Sequence, residues 1–262
     1  KNFNFVELGP GNGDFCLILI KTLKNFPEVF DSVNIMLYEK SERLIKIQKK
    51  RIISKKVSWI KNLNKIKKGP IIFFGNEFFD SFPIKQFKVK WNILEEKYYV
   101  LEKNFEISEV FKKTSKKDSN EIKKFKTLKK LKFIEFPKLG FKELTKIIKK
   151  ISKLGGCLLM IDYGYINSKN LDTLQSVLNH KRNKLLNNLG KADITSHVNF
   201  SLLKEYFIKN KMKVKKVITQ REFLKKMGIL KRAEIISKNM KFSDQSNLYF
   251  RLKRLISPKS MG

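Results

Sequence analysis

The stretch FVELGPGNGDF, Phe5 to Phe15, constrains this chain more than any other: an apolar run, a carboxylate at Glu7, glycines at Gly9, Gly11 and Gly13, then apolar residues at helical spacing. A strand that passes into a helix through such a turn presents bare backbone, and the helix N-terminus behind it adds partial positive charge. Phe3 to Leu8 read as a buried strand ended by Gly9 and Pro10. From Asp14 to about Phe26, the residues Phe15, Ile18, Leu19 and Leu23 recur at helical spacing, and Asp14 places negative charge where the dipole favours it.

The alternation continues. VNIMLYE is a second strand, SERLIKIQKKRI a second helix with Ser41 as N-cap, VSWI a third strand, and GPIIFFGNEFFDSFP a fourth strand followed by a tight loop or short helix closed by Pro83. This rhythm predicts an α/β fold, a parallel sheet wound with helices on both faces. Between Ile84 and Glu109 the strand-like segments lack intervening helices, which predicts a projecting β-hairpin or meander. The lysine-rich run KKTSKKDSNEIKKFKTLKKLK is expected to be a poorly ordered, solvated loop.

The wound pattern resumes with the helix FKELTKIIKKISK, stopped by Gly155 and Gly156, and the strand CLLMIDYG. A polar loop follows from Tyr165 to about Asn199, then a helix near Ser201 to Lys209, a strand KVKKVIT, and helices QREFLKKMGI, KRAEIISKNM and QSNLYFRLKRLI. The expected organisation is a first half of the α/β domain over 1–83, an inserted β-hairpin and Lys-rich region over 84–139, and a second half over 140–262 carrying the loop 165–199 and the C-terminal helices. No internal repeat is visible.

The net charge of +34 invites a nucleic-acid partner. Lys far outnumbers Arg, however, and Lys, Ile, Asn and Phe are abundant together, as AT-rich codons produce; groove readers lean on Arg forks. Nucleic acid is therefore not favoured. No apolar run approaches the roughly 18 residues of a membrane helix, so no membrane insertion is expected. Cys16 and Cys157 have apolar neighbours and no CxxC partner, which predicts small core residues and a reducing compartment. The chain opens on Lys1 directly into a strand-like run, so a piece of a longer protein is expected and the lack of a targeting segment carries no information.

Glycine turns of this kind serve both NAD and S-adenosyl-L-methionine. A dinucleotide fingerprint wants glycine or alanine at position 14, where this chain has Asp14. Glu7 would repel a pyrophosphate yet suits the ammonium of a methionine moiety, so a sulfonium cofactor fits better. Glu39 ends the second strand, where a carboxylate accepts from both hydroxyls of a ribose; otherwise it is a surface acid balancing Lys40. Asn76, Glu77 and Asp80 follow the fourth strand. On a helical turn Glu77 and Asp80 would lie three apart on one face, or one of them would cap that turn. Asp162 ends the fifth strand. Several strands thus deliver acids to one rim, where wound sheets bind ligands. His197 and His180 are the only imidazoles, without H-x-x-x-H or a Cys cluster, and no metal is expected.

ELGPGNG, YEKS, NEFFDSFPIKQF, GGCLLMIDYG, DTLQSVLNHK, GKADITSHVNF and TQREFLKKMGI follow, in order and spacing, the MidA-type family of S-adenosylmethionine-dependent methyltransferases, which the chain resembles from Phe5 to Gly262 apart from its Lys-rich middle. The resemblance implies a class I methyltransferase-like (Rossmann-like) fold with a seven-stranded sheet and an inserted substrate-side region. It also implies an N-terminal segment covering the cofactor, lacking in this sequence, and a final strand region of which PKSMG looks like the start. The family's mitochondrial members are protein arginine methyltransferases needed for assembly of respiratory complex I.

The cofactor implied is S-adenosyl-L-methionine, with Glu7, Gly9, Gly11, Gly13, Glu39, Asn76 and Asp162 as the binding residues. Glu77 and Asp80 are the catalytic candidates, because a guanidinium with a pKa above about 12 must lose a proton and its charge needs carboxylate partners. Asp193, Thr195 and His197 resemble the family's substrate-side loop, and DTLQ would line the acceptor channel. Asn12, Asn199 and Arg221 depart from the family's usual residues. The implied partner is a protein substrate such as a complex I subunit, in the bacterial cytoplasm or the mitochondrial matrix. An RNA methyltransferase, a non-catalytic assembly chaperone and a nicotinamide oxidoreductase are the rival readings.

Overall fold

The computed structural model describes residues 2–103, 105–179 and 181–257. The chain divides into two units, Lys1–Lys213 and Val214–Gly262. In the first, β1 (Phe3–Leu8), α1 (Asp14–Leu23), α2 (Pro27–Ser32), β2 (Val33–Tyr38), α3 (Glu42–Arg51), β3 (Val57–Ile60) and β4 (Ile71–Asn76) follow the alternation read from the sequence. Val6, Leu8, Ile35, Leu37, Ile71 and Phe73 are inaccessible to solvent, as strands of a parallel sheet covered on both faces should be.

With β9 (Gly156–Ile161) these strands form a five-stranded parallel sheet in the order β3-β2-β1-β4-β9. The order reverses between β1 and β4. Connections leaving their carboxyl ends diverge there and open the crevice in which wound sheets take ligands. The described residues thus supply five of the seven strands that the resemblance implies, and PKSMG lies outside them.

An insertion follows β4. β5 (Lys85–Lys90), β6 (Ile93–Leu101), β7 (Ile107–Lys113) and, after α4 (Lys116–Lys123), β8 (Phe133–Phe136) make an antiparallel sheet ordered β7-β6-β5-β8. Trp91 and Asn92, with φ of 50° and 60°, form the two-residue turn whose twist suits the β5-β6 hairpin. The expected disorder of the Lys-rich run is not found. Ser115 caps α4 by accepting from the Asp118 amide at 3.1 Å, and Asp118 pairs with Lys85 and Lys138. Ile122, Phe125 and Leu128 enter the core, where Phe125 stacks on Phe141. The lysines occupy the solvated face of an amphipathic segment, which composition alone does not distinguish from a linker.

α5 (Lys138–Leu154) buries Phe141, Leu144, Ile147, Ile148 and Ile151, each contributing about 1.5–3 kcal/mol, and stops at Gly155 with φ of 77°. Cys16 is buried as expected, but Cys157 is exposed, because β9 is the end strand of the sheet. The segment read as a polar loop carries short strands: β10 (Gly164–Tyr165), β11 (Gln175–Leu178), β12 (Lys181–Asn183), β13 (Asp193–Thr195) and β14 (Val198–Asn199). β12-β11-β13 is an antiparallel sheet and β10 pairs with β14; strands of two to four residues are too short to show a period in sequence. A Cβ at Gly164 would lie 2.0 Å from the Val198 carbonyl oxygen, so glycine alone permits this pairing. α6 (Phe200–Lys209) closes the unit.

The second unit holds α7 (Gln220–Lys226), capped by Thr219, α8 (Ile229–Ser237) and α9 (Phe242–Ile256). The strand expected over 213–219 is not formed: KVKKVIT finds no ladder partner among the described residues, and a lone strand has no stability of its own. No helix of the described residues is long and apolar enough to cross a membrane.

Candidate active site

The glycine turn leaves β1 with left-handed backbone at Gly9, Gly11 and Gly13, φ 63°, 53° and 82°. The Gly9 amide donates to the Tyr38 carbonyl at 3.1 Å, tying the turn to the end of β2. Nothing lies within 4 Å of where a Cβ would stand on Gly11, so this peptide borders open space.

Glu7, on β1 beneath the turn, is 5% exposed, and its Oε2 is buried without a hydrogen-bond partner. Burial pushes its carboxyl up to about 7. Glu39 is also buried. Its Oε1 accepts from the amides of Lys40 and Ser41, both at 2.8 Å, while Oε2 has only the Gln48 amide at 3.5 Å. Lys40 pairs with Glu143 at 3.2 Å, so Glu39 is not simply a surface acid balancing its neighbour.

Across the switch point, NEFFD forms a turn and not a helix. Glu77 adopts φ 48° and donates its amide to the Ile161 carbonyl at 2.8 Å. Of the two alternatives, tight loop and helical turn, the loop is formed, so Glu77 and Asp80 share no helical face: the left-handed residue breaks the helical path, leaving Glu77 exposed while Asp80 is buried at 4% exposure. Asn76 is exposed at the end of β4, in register with Ile161.

Asp162 organises this turn. Its Oδ2 accepts from the amides of Phe79 and Asp80 at 2.8 and 3.3 Å, and its Oδ1 from that of Tyr163 at 3.1 Å. Burial, and then the charge of Asp80, push the Asp162 carboxyl up to about 7 against the lowering effect of these amides. The Tyr163 hydroxyl donates to Asp80 Oδ2, whereas Asp80 Oδ1 is buried without a partner. Burial and the bond to Asp80 raise the Tyr163 phenol well above its usual range, opposed by a hydrogen bond with Thr195.

The His197 ring stands edge-on to Tyr163 with centroids 5.6 Å apart. Asp80, Asp162, Tyr163, Thr195 and His197 thus form one contiguous group. Asp193 lies on the same short strand as Thr195 with its side chain exposed. The Thr173 of DTLQ donates its amide and hydroxyl to Glu135 of β8 at 2.9 and 2.5 Å and accepts from the His197 amide at 3.0 Å, joining the substrate-side strands to the insertion. A cavity of about 390 Å³, lined by Asp172, Thr173, Gln175, Arg182 and His197 among others, opens beside this group. No three His, Cys, Asp or Glu of the described residues cluster to hold a metal ion; His180 lies outside those residues.

Two residues of this site were not foreseen. Tyr163 sits within the IDYG motif, where a phenol directly after a strand-end acid is the available signal. Gln48 is fully buried on α3 and donates to the Gly11 carbonyl at 2.7 Å; a glutamine between the inward-facing Ile45 and Ile52 is its only trace in sequence.

Residues 1–218 match a family described as "Putative S-adenosyl-L-methionine-dependent methyltransferase". The mitochondrial protein arginine methyltransferase NDUFAF7 homolog of Caenorhabditis elegans is 27% identical, over 93% of this chain and 62% of the relative. Human mitochondrial protein arginine methyltransferase NDUFAF7 is 25% identical, over 99% of this chain and 64% of the relative. The chain therefore spans just under two thirds of the length of these relatives. Among solved structures, a superfamily member from Burkholderia thailandensis bound to S-adenosyl-homocysteine aligns over 100% of this chain and 69% of its own, with a TM-score of 0.79 at 17% identity. A native crystal structure of a superfamily protein from the same organism aligns over 100% of this chain and 71% of its own, with a TM-score of 0.81 at 18% identity. The wound parallel sheet with its antiparallel insertion is the fold of these structures.

Proposed function

The chain belongs to the MidA-type family of S-adenosyl-L-methionine-dependent methyltransferases, and from that premise we propose that it methylates an arginine side chain of a protein. The observation that carries this reading is Asp80 Oδ1, a buried carboxylate oxygen without a partner beside the half-buried Asp162. Such an atom in a chain with 58 Lys and Arg against 24 Asp and Glu marks a place kept for a cation. A planar guanidinium, with several N–H donors, satisfies a carboxylate more completely than other side chains do. The names of the curated relatives point the same way, and the resemblance to the mitochondrial branch makes a respiratory complex I subunit the favoured acceptor.

The residues under the glycine turn fit the cofactor. Glu7 Oε2 takes the ammonium of its amino-acid end, Glu39 Oε2 accepts from the ribose, and the open side of Gly11 admits it against the backbone. When bound, S-adenosyl-L-methionine supplies an electrophilic methyl on a sulfonium. The protein's own task is to hold the acceptor in line and dry. Asp80 Oδ1 accepts from the guanidinium and fixes its plane, while Tyr163 holds the other oxygen. Asp162 fixes the turn through its amide bonds and, with its carboxyl raised to about 7, is able to carry a proton near neutrality. Glu77, exposed at the rim, draws the cationic side chain inward.

The test is methylation of a cell extract with labelled cofactor, followed by protease or ribonuclease. The label is expected to vanish with protease and to be recovered as methylarginine. A label that survives protease and vanishes with ribonuclease would overturn the arginine reading in favour of an RNA acceptor, as the net charge of +34 would suggest.

A further inference from the structure

Gln48 occupies a core-facing position of α3, where an aliphatic residue would bury more cheaply. A buried amide costs free energy unless its polar atoms are satisfied, and those of Gln48 meet three separate elements. Its Oε1 accepts from Trp59 Nε1 of β3 at 2.9 Å, its Nε2 donates to the Gly11 carbonyl at 2.7 Å, and the same Nε2 lies 3.5 Å from Glu39 Oε2. An indole N–H only donates and a peptide carbonyl only accepts, so these neighbours leave the amide a single orientation.

The consequence follows from the geometry of the peptide bond. In a planar trans peptide the C=O and N–H point opposite ways. Drawing the Gly11 carbonyl toward α3 therefore turns the Asn12 N–H away from α3. Arg51, one turn along, secures the other side of that residue: Nη1 donates to the Asn12 carbonyl at 2.7 Å and Nη2 pairs with Asp14 at 2.5 Å. Gly13 abuts Ile52 so closely that a Cβ would stand 2.7 Å from its Cδ1. The Gly13 amide is occupied by the Pro10 carbonyl at 2.8 Å, whereas the Asn12 amide has no acceptor among the described residues.

We propose that Gln48 is a positioning residue of the donor site: it aims the Asn12 N–H at the carboxylate of the cofactor's amino-acid end and holds Glu39 Oε2 ready for the ribose. This rests on the donor-site reading above. It assigns to an α3 side chain, remote from the glycine motif in sequence, the orientation of that motif's free amide.

The test uses the full chain and two probes, S-adenosylhomocysteine, which carries the amino-acid end, and 5′-methylthioadenosine, which lacks it. Gln48→Met keeps the volume without a buried amide; Gln48→Glu keeps an acceptor for Trp59 but sets an oxygen against the Gly11 carbonyl. Both are expected to weaken S-adenosylhomocysteine about tenfold, the scale of one lost hydrogen bond, and to weaken methylthioadenosine less, so that the preference between the probes shrinks. Trp59→Phe removes the indole donor yet leaves both Nε2 contacts, and should keep the parent's preference even if it lowers the melting temperature. Cooperatively folded Gln48 variants with the parent's preference would overturn the proposal, as would an equal loss of preference in Trp59→Phe, which would make Gln48 a packing residue. A parent chain that binds neither probe would overturn the donor-site reading itself, an outcome distinct from both.

Discussion

Replacing Glu7 by glutamine tests the donor site where its physics is most exposed. Burial raises this carboxyl from 4.5 to about 7, so the folded chain holds a proton that the unfolded chain releases between those values. Stability changes with pH in proportion to the protons bound by the unfolded state minus those bound by the folded state. That difference is negative here, so Glu7 makes the unliganded protein less stable as pH rises through this window, and costs nothing below the unfolded value.

The full penalty above pH 7 is at most about 3.5 kcal/mol, taking about 1.4 kcal/mol for each factor of ten in the proton equilibrium. Glu7→Gln removes the charge while keeping the shape. Without ligand it is expected to melt higher than the parent at pH 8, by up to about 7 °C at roughly 2 °C per kcal/mol for a chain of this size, and to match the parent at pH 4. Thermal melts across pH read this directly. The same variant is expected to lose S-adenosylhomocysteine affinity by about 10-fold or more in calorimetry, because a neutral amide offers the ammonium no counter-charge. A melting difference independent of pH, or undiminished affinity at pH 8, would refute the reasoning.

Asp80→Asn removes the proposed counter-charge for the acceptor while leaving an oxygen for Tyr163. Methyl transfer is expected to fall about 10- to 100-fold, the scale of one charge-assisted hydrogen bond, with cofactor affinity within about twofold of the parent; full complementation by this variant would favour a scaffold role. Gly164→Ala drives a Cβ into the Val198 carbonyl oxygen, 2.0 Å away, and is expected to lower the melting temperature and loosen residues 193–199 toward limited proteolysis, whereas an unchanged digest would contradict the close pairing of β10 and β14. In buffers of different ionisation enthalpy at pH 6, S-adenosylhomocysteine binding is expected to release a proton as Glu7 ionises against the ammonium; a heat independent of buffer would contradict that pairing.

Much of this architecture was legible because it is periodic. The five parallel strands are short apolar runs between helical patterns, and Gly9, Gly11, Gly13, Glu39 and Asp162 stand at strand ends where the fold class alone puts a ligand. What was not legible depends on conformation or partners. The left-handed φ of 48° at Glu77 is not encoded by residue type, so a tight loop and a helical turn both stayed open after β4, and only the structure divides Glu77 and Asp80 between solvent and core. The Lys-rich run hid α4 and the turn after it because only Ile122, Phe125 and Leu128 anchor them in the core against a background of charge. KVKKVIT has the residue types of a strand, but a strand also requires an edge to pair with. Gln48 and Tyr163 act through contacts 37 and 83 residues distant, to Gly11 and Asp80, which spacing along one sequence does not reveal.

The most direct test of the central claim is a crystal structure of the full chain with S-adenosylhomocysteine. The ligand's ammonium is expected on Glu7, its ribose on Glu39 and its sulfur facing the side of the cleft that holds Asp80 and Tyr163. A ligand seated away from the carboxyl ends of β1 and β2, or one whose sulfur points away from Asp80, would contradict the account.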